Sequence, residues 1–67
     1  MPRYYYCEKL KELRHQNSYS QADIALILGI RQEQYSKYES GVRELPIHLL
    51  LRICKIYKTS SDYILGL

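Results

Sequence analysis

Between Gln21 and Ser40 the chain combines an alanine, a glycine and several apolar residues at offsets that few folds accommodate together. Two helices joined by a turn of about three or four residues, and packed at a steep angle, make specific demands. They need a small side chain where one crosses the other, a glycine in the turn, and apolar groups on either side. Ala25 is the small residue and Gly29 the turn glycine. Ile24, Leu28 and Ile30 flank the turn, and Tyr35 and Tyr38 continue the apolar side. A lone alanine or glycine would mean little; the joint pattern is specific. Ser20 offers a hydroxyl to the free amides of the first helix of this pair, and Asp23, three residues on, fits a capping box with a shorter acid. The second helix is expected over about Gln32 to Glu39, with Arg31 a poor N-cap. Gly29 and Gly41 end the two helices, because the residue after a helix often adopts positive φ.

The remaining segments have the same helical period. Tyr6, Leu10, Leu13 and Asn17 fall on one face of a helix from about Tyr5 to Gln16, which Asn17-Ser18 interrupts. Pro46 suits the first turn of a fourth helix, where its missing donor costs nothing. Ile47, Leu50, Ile53, Cys54 and Tyr57 are its expected buried stripe. Ser60 caps a short fifth helix, in which Tyr63, Ile64 and Leu65 precede Gly66. No strand pattern occurs. The expected fold is all-α, a compact five-helix bundle formed as a single domain over residues 1–67. A domain this small buries only about 60% of the surface its unfolded chain exposes, so the core is thin and no large catalytic pocket fits. Apolar residues are nonetheless in surplus. Leu26 and Ile27 lie beside the core face, and Leu49, Leu51 and Ile56 add to the fourth helix. They imply either crowded packing or self-association.

Ten Lys and Arg against seven Asp and Glu leave a net charge of +3. That excess favours an acidic partner such as nucleic acid without singling one out. Cys7 and Cys54 are far apart and match no metal spacing, so both are expected as reduced small hydrophobes. The opening Met1 to Tyr6 lacks the apolar core of a signal peptide, and the longest apolar run, Ile24 to Leu28, is too short to span a membrane. A cytoplasmic protein without membrane attachment is expected. His15 and His48 have no carboxylate or thiol partner at ligand spacing, no serine has a recognisable base, and no glycine-rich phosphate loop exists. Neither an enzyme, nor a metal site, nor a cofactor is expected. The chain has eight Tyr and no Phe or Trp. Tyr4-Tyr5-Tyr6 would permit base stacking of the kind single-strand binders use. Tyr6 belongs to the core stripe, however, and Tyr4 and Tyr5 are better read as an edge covering thin core.

Three stretches carry a family likeness: Tyr19-Ser20-Gln21-Ala22-Asp23-Ile24-Ala25, then Leu28-Gly29-Ile30, then Tyr35-Ser36-Lys37-Tyr38-Glu39-Ser40-Gly41. It continues through Leu45-Pro46-Ile47 and Ile53-Cys54-Lys55-Ile56-Tyr57 to Ser60-Ser61-Asp62-Tyr63-Ile64-Leu65-Gly66. Here the chain resembles the phage repressor and Cro family, the xenobiotic-response-element-type helix-turn-helix proteins, from about residue 6 onward. The resemblance implies a lambda-repressor-like DNA-binding domain, with the helix-turn-helix at helices 2 and 3 and the third helix in the major groove of double-stranded DNA.

The face of the third helix opposite Tyr35 and Tyr38 carries Arg31, Gln32, Glu33, Ser36 and Lys37. Gln pairs bidentately with adenine, and Arg or Lys with guanine. Glu33 is the departure: it either accepts from a cytosine amino group or offsets Arg31 or Lys37. Gln21 is expected either on a phosphate at the second helix's start or as a solvated surface residue. The resemblance places Ser40 and Arg43 beside the DNA backbone; the alternative for Arg43 is a loop pair with Glu44. It also implies a partly buried structural ion pair between Arg14 and Glu39, tying the third helix to the scaffold.

The function implied is sequence-specific transcriptional regulation, by repression in the simplest case, as a homodimer through helices 4 and 5 on a palindromic operator. With almost nothing outside these helices, no ligand-sensing domain is expected on the chain. The rival reading is a protein-interaction module such as an antitoxin, whose partner would be a toxin or another protein. An RNA-binding role lacks the aromatic sheet or glycine loop that single-strand modules use.

Overall fold

Five helices follow one another in the computed structural model, which describes residues 4–67: α1 (Tyr6–Gln16), α2 (Gln21–Leu28), α3 (Gln32–Ser40), α4 (Ile47–Tyr57) and α5 (Ser61–Leu65). The described residues contain no strand. Local chemistry sets most of the boundaries. Ser20 Oγ accepts from the Asp23 amide at 3.0 Å, while Asp23 accepts from the Ser20 amide at 2.8 Å, so the capping box forms in both directions. Ser60 caps α5 by accepting from the Tyr63 amide at 3.0 Å. Gly29, Gly41 and Gly66 end α2, α3 and α5 in the left-handed region, at φ of 73°, 83° and 76°. At Gly66 close packing adds to this demand, because a Cβ there would lie 2.7 Å from the Tyr5 ring.

α3 packs against both α1 and α2, while α5 joins α1 to α4, and α4 also touches α2. Leu10, Ile24, Leu28, Tyr35, Ile53 and Ile64 are essentially fully buried, so every helix sends at least one side chain to the centre. The leucines and isoleucines among them are each worth roughly 1.5–3 kcal/mol of transfer free energy, a large share of the stability of so small a domain. Two long-range polar contacts thread this core. The Leu45 amide donates to the Tyr6 hydroxyl at 2.7 Å, and the Cys7 thiol donates to the Tyr38 carbonyl at 3.4 Å. Burial pushes both Cys thiols above their ordinary pKa, which favours the protonated form.

Several sequence expectations need correction. Asn17 is exposed, and its amide folds back onto the Leu13 carbonyl at 2.7 Å, capping α1 instead of joining its apolar face. Pro46 is the N-cap of α4, one position before the helix begins. The buried stripe of α4 is Leu49, Leu50 and Ile53; Ile47 is 73% exposed, and Cys54 and Tyr57 are only partly covered. Leu45, held by the hydrogen bond to Tyr6, is buried just ahead of the helix, and within α4 Leu49 and Ile53, four residues apart, share the inner face. Leu49 is therefore core, not surplus. Leu26 and Ile27 are exposed, as their positions beside the core face implied, and Leu51 is exposed as well. The tyrosine run divides: Tyr4 stacks on Tyr6 with ring centroids 5.1 Å apart, whereas Tyr5 is largely exposed.

Candidate nucleic-acid interface

α3 has two unlike sides. Tyr35, Tyr38 and Glu39 are buried, and Gln32, Glu33 and Lys37 are exposed with Ser36 half-buried among them. The outer side forms one wall of an open groove of about 620 Å³, lined by Gln21, Gln32, Glu33, Ser36, Lys37, Ser40 and Val42. Arg31 and Arg43 are exposed but lie outside this lining. No side chain caps the start of α3, so its first-turn amides and the positive end of the helix dipole remain open to an acceptor.

Charge on this face is uncommitted. Among the described residues the ion pairs within 4 Å are Lys9–Glu12 and Arg14–Glu39. Arg31, Lys37 and Arg43 thus have no carboxylate partner, and Arg43 does not pair with Glu44. Glu33 offsets neither Arg31 nor Lys37 through a direct contact. The loop after α3 is closed by the backbone, with the Arg43 amide donating to the Lys37 carbonyl at 3.1 Å. Ser40 Oγ turns to the same carbonyl at 3.3 Å.

Behind the groove sits the polar anchor of α3. Arg14 Nε donates to Glu39 Oε2 at 2.9 Å and Arg14 Nη2 to Oε1 at 2.7 Å, a bidentate pair whose side chains are 10% and 4% exposed. Arg14 Nη1 also donates to the Tyr19 carbonyl at 3.0 Å, so the guanidinium ties α1 to α3 and to the approach to α2. Burial alone would raise the Glu39 carboxyl, but Arg14 and the neighbouring polar groups outweigh it and hold that carboxyl below the ordinary range. The same pairing raises Arg14. Tyr35 Oη is buried close to this carboxylate without a well-formed hydrogen bond, and burial followed by that charge pushes its pKa strongly up.

Gln21 belongs to both layers. It lines the groove, yet its Nε2 donates inward to Glu39 Oε1 at 3.3 Å. It is half-buried, neither a free surface amide nor wholly committed to the interior.

Three residues of this region carried no role in the sequence reading. Val42 lines the groove at 66% exposure, and an apolar residue in the polar loop after Gly41 was the available signal. Gln34 Nε2 donates to Tyr38 Oη at 2.8 Å along α3, an i,i+4 spacing open to recognition. Arg52 of α4 reaches the end of α2, donating to the Leu28 carbonyl at 2.6 Å and the Ile27 carbonyl at 3.1 Å. No local pattern marks a contact across 24 residues.

Two helices joined by a left-handed glycine, the second buried on one side and open on the other, define a helix-turn-helix protein. The chain belongs to the helix-turn-helix domain family, whose profile matches residues 7–67. It is 34% identical over 62 residues to an uncharacterized HTH-type transcriptional regulator, YobD, of Bacillus subtilis (strain 168), covering 92% of this chain and 55% of that protein. A second similar protein of that organism is the SPbeta prophage-derived uncharacterized HTH-type transcriptional regulator YonR, 38% identical over 58 residues, with 87% of this chain and 54% of YonR covered. The HTH-type transcriptional regulator ImmR of that organism is 36% identical over 59 residues, with 88% of this chain and 46% of ImmR covered. The chain spans about half the length of the curated relatives it matches. No helix among the described residues is long and apolar enough to cross a membrane.

Proposed function

We propose that this chain binds double-stranded DNA in a sequence-specific manner and regulates transcription, as a cytoplasmic binding protein and not an enzyme. The observation that carries the reading is the groove on the outer side of α3, which gathers Gln21, Gln32, Glu33, Ser36, Lys37 and Ser40. A helix of this diameter fits the major groove of B-DNA, and these residue types pair with base edges and phosphates. Gln32 and Lys37, with Arg31 at the helix start, read bases. Ser36 and Glu33 complete the reading face, Glu33 by accepting from a cytosine amino group. Gln21, Ser40 and Arg43 hold the backbone. The names of the relatives, HTH-type transcriptional regulators, support the same reading.

The proposed mode of action is repression by a homodimer on a palindromic operator, with the chain working as one DNA-binding domain. Exposed apolar side chains on α4 and α5, namely Ile47, Leu51, Tyr63 and Leu65, supply a surface for pairing. A two-fold dimer would set two copies of α3 into successive major grooves, about one helical turn apart. Selection of bound sites from a random duplex library tests the proposal. A two-fold symmetric consensus with a fixed half-site spacing is expected. A library that yields no enriched sequence would overturn it and favour a protein partner.

A further inference from the structure

We propose that Arg52 is a positioning residue for DNA reading: from α4 it clamps the end of α2, fixes the turn into α3, and so aims the reading helix. This rests on the DNA-binding reading above. A helix leaves its last four carbonyls without intrahelical donors. In α2 all four are accounted for. The Ile30 amide donates to Ala25 O at 3.0 Å and the Gly29 amide to Leu26 O at 3.1 Å, which are the ordinary closures of a left-handed glycine cap. The two carbonyls left, Ile27 and Leu28, are both taken by the Arg52 guanidinium, at 3.1 and 2.6 Å.

The geometry suits the task. A planar guanidinium can address two neighbouring carbonyls at once, and its charge opposes the negative end of the α2 dipole. Arg52 lies next to Ile53, which is wholly buried and fixes α4 to the core at that level. The turn it clamps, Gly29 to Arg31, leads directly into the first reading residues of α3. No side chain caps the start of α3, so this turn sets the approach of that helix together with the packing of Tyr35 and Tyr38 and the Arg14–Glu39 pair at its other end. Arg52 itself is exposed and carries little of the core, which separates its role from that of a folding determinant.

The test uses the whole chain, the duplex recovered by library selection, and an unrelated duplex of equal length. Arg52→Met keeps the stem and removes the donors; Arg52→Lys restores charge and a single donor group. Circular dichroism first establishes the temperature range in which all three proteins are folded. Within that range Arg52→Met is expected to bind the selected duplex roughly tenfold more weakly. Binding to the unrelated duplex, which depends on phosphates alone, should stay within about twofold, and Arg52→Lys should recover part of the loss. Amide hydrogen exchange at Gly29 and Ile30 should quicken in Arg52→Met relative to the amides of α1. An equal loss on both duplexes, or unchanged selected binding by folded Arg52→Met, would overturn the positioning role. Failure of the wild-type chain to bind any duplex would instead overturn the DNA-binding reading. The exchange measurement then decides the clamp by itself: unchanged rates at Gly29 and Ile30 overturn it, and faster rates uphold it.

Discussion

Arg14 and Glu39, 25 residues apart in sequence, meet in two hydrogen bonds of 2.9 and 2.7 Å behind the groove-facing side of α3. Their position explains how a short helix with much of its surface facing solvent can be held in one orientation. Removing either partner strands the other charge in a site nearly closed to water. Arg14→Met or Glu39→Leu alone should therefore cost on the order of 3–5 kcal/mol, and the double replacement should recover much of that loss. Denaturant unfolding of the four proteins gives the coupling energy. A coupling near zero would show that the pair does not anchor α3.

On the outer side the expectation is reversed. Gln32→Ala, Arg31→Ala and Lys37→Ala remove exposed side chains, so unfolding midpoints should hardly move. Affinity for the selected duplex should fall by about 1–3 kcal/mol wherever the substituted side chain pairs bidentately with a base. Titration of labelled duplex checks this, and three variants that bind like wild type would remove α3 as the reader.

Among the described residues Arg31, Lys37 and Arg43 make no ion pair, so Arg43, proposed on the DNA backbone, is available to neutralise a phosphate. The slope of log K against log salt should be near −0.9 per phosphate neutralised. Arg43→Ala should make the slope shallower by about one unit while leaving the selected sequence unchanged. A flat salt dependence of the wild-type protein would contradict phosphate contact altogether.

Stability should fall at both pH extremes, for opposite reasons. Glu39 has a folded pKa below its unfolded value, so its contribution is complete above the ordinary carboxylate range and is lost as pH falls through the folded pKa. Asp23, lowered by the Ser20 backbone bond, acts in the same direction. Glu39→Gln should flatten the acid limb more than Asp23→Asn, because only Glu39 is buried. Tyr57 behaves oppositely. Burial pushes its pKa up from 10.0 to about 12, so stability is lost as pH rises across that interval, where the unfolded chain ionises first. Its hydroxyl is buried and has no hydrogen-bond partner among the described residues. Tyr57→Phe should leave stability at neutral pH equal or higher, by up to about 1 kcal/mol, and weaken the alkaline loss. A marked destabilisation at neutral pH would show that the hydroxyl has a partner.

Adjacent residues specify much of this molecule. Ser20 with Asp23, Ser60, Gly29, Gly41 and Gly66 mark helix ends through contacts within a few residues, so the five helices and the α2–α3 turn were legible without any knowledge of packing. The division of α3 into an inner side with Tyr35 and Tyr38 and an outer side with Gln32 and Lys37 follows from helical period alone. The Arg14–Glu39 pairing was accessible only through family resemblance, since nothing local links the two.

Tertiary structure decided the rest, wherever the deciding partner lies far along the chain. Ile47 and Leu49 are equally apolar neighbours at the start of α4. Leu49 enters the core and Ile47 does not, in a helix whose approach is tied through the Leu45 amide to the hydroxyl of Tyr6, 39 residues away. Gln21 turns inward because Glu39 comes within 3.3 Å of it. Arg52 looks like an ordinary surface charge until α4 docks beside the end of α2 and its guanidinium meets two carbonyls that no local donor can satisfy. A capping bond closes within one turn of chain, so its partners are written side by side. A rotation of one helix against another is set by all the contacts it makes, and these exist only once the helices are assembled.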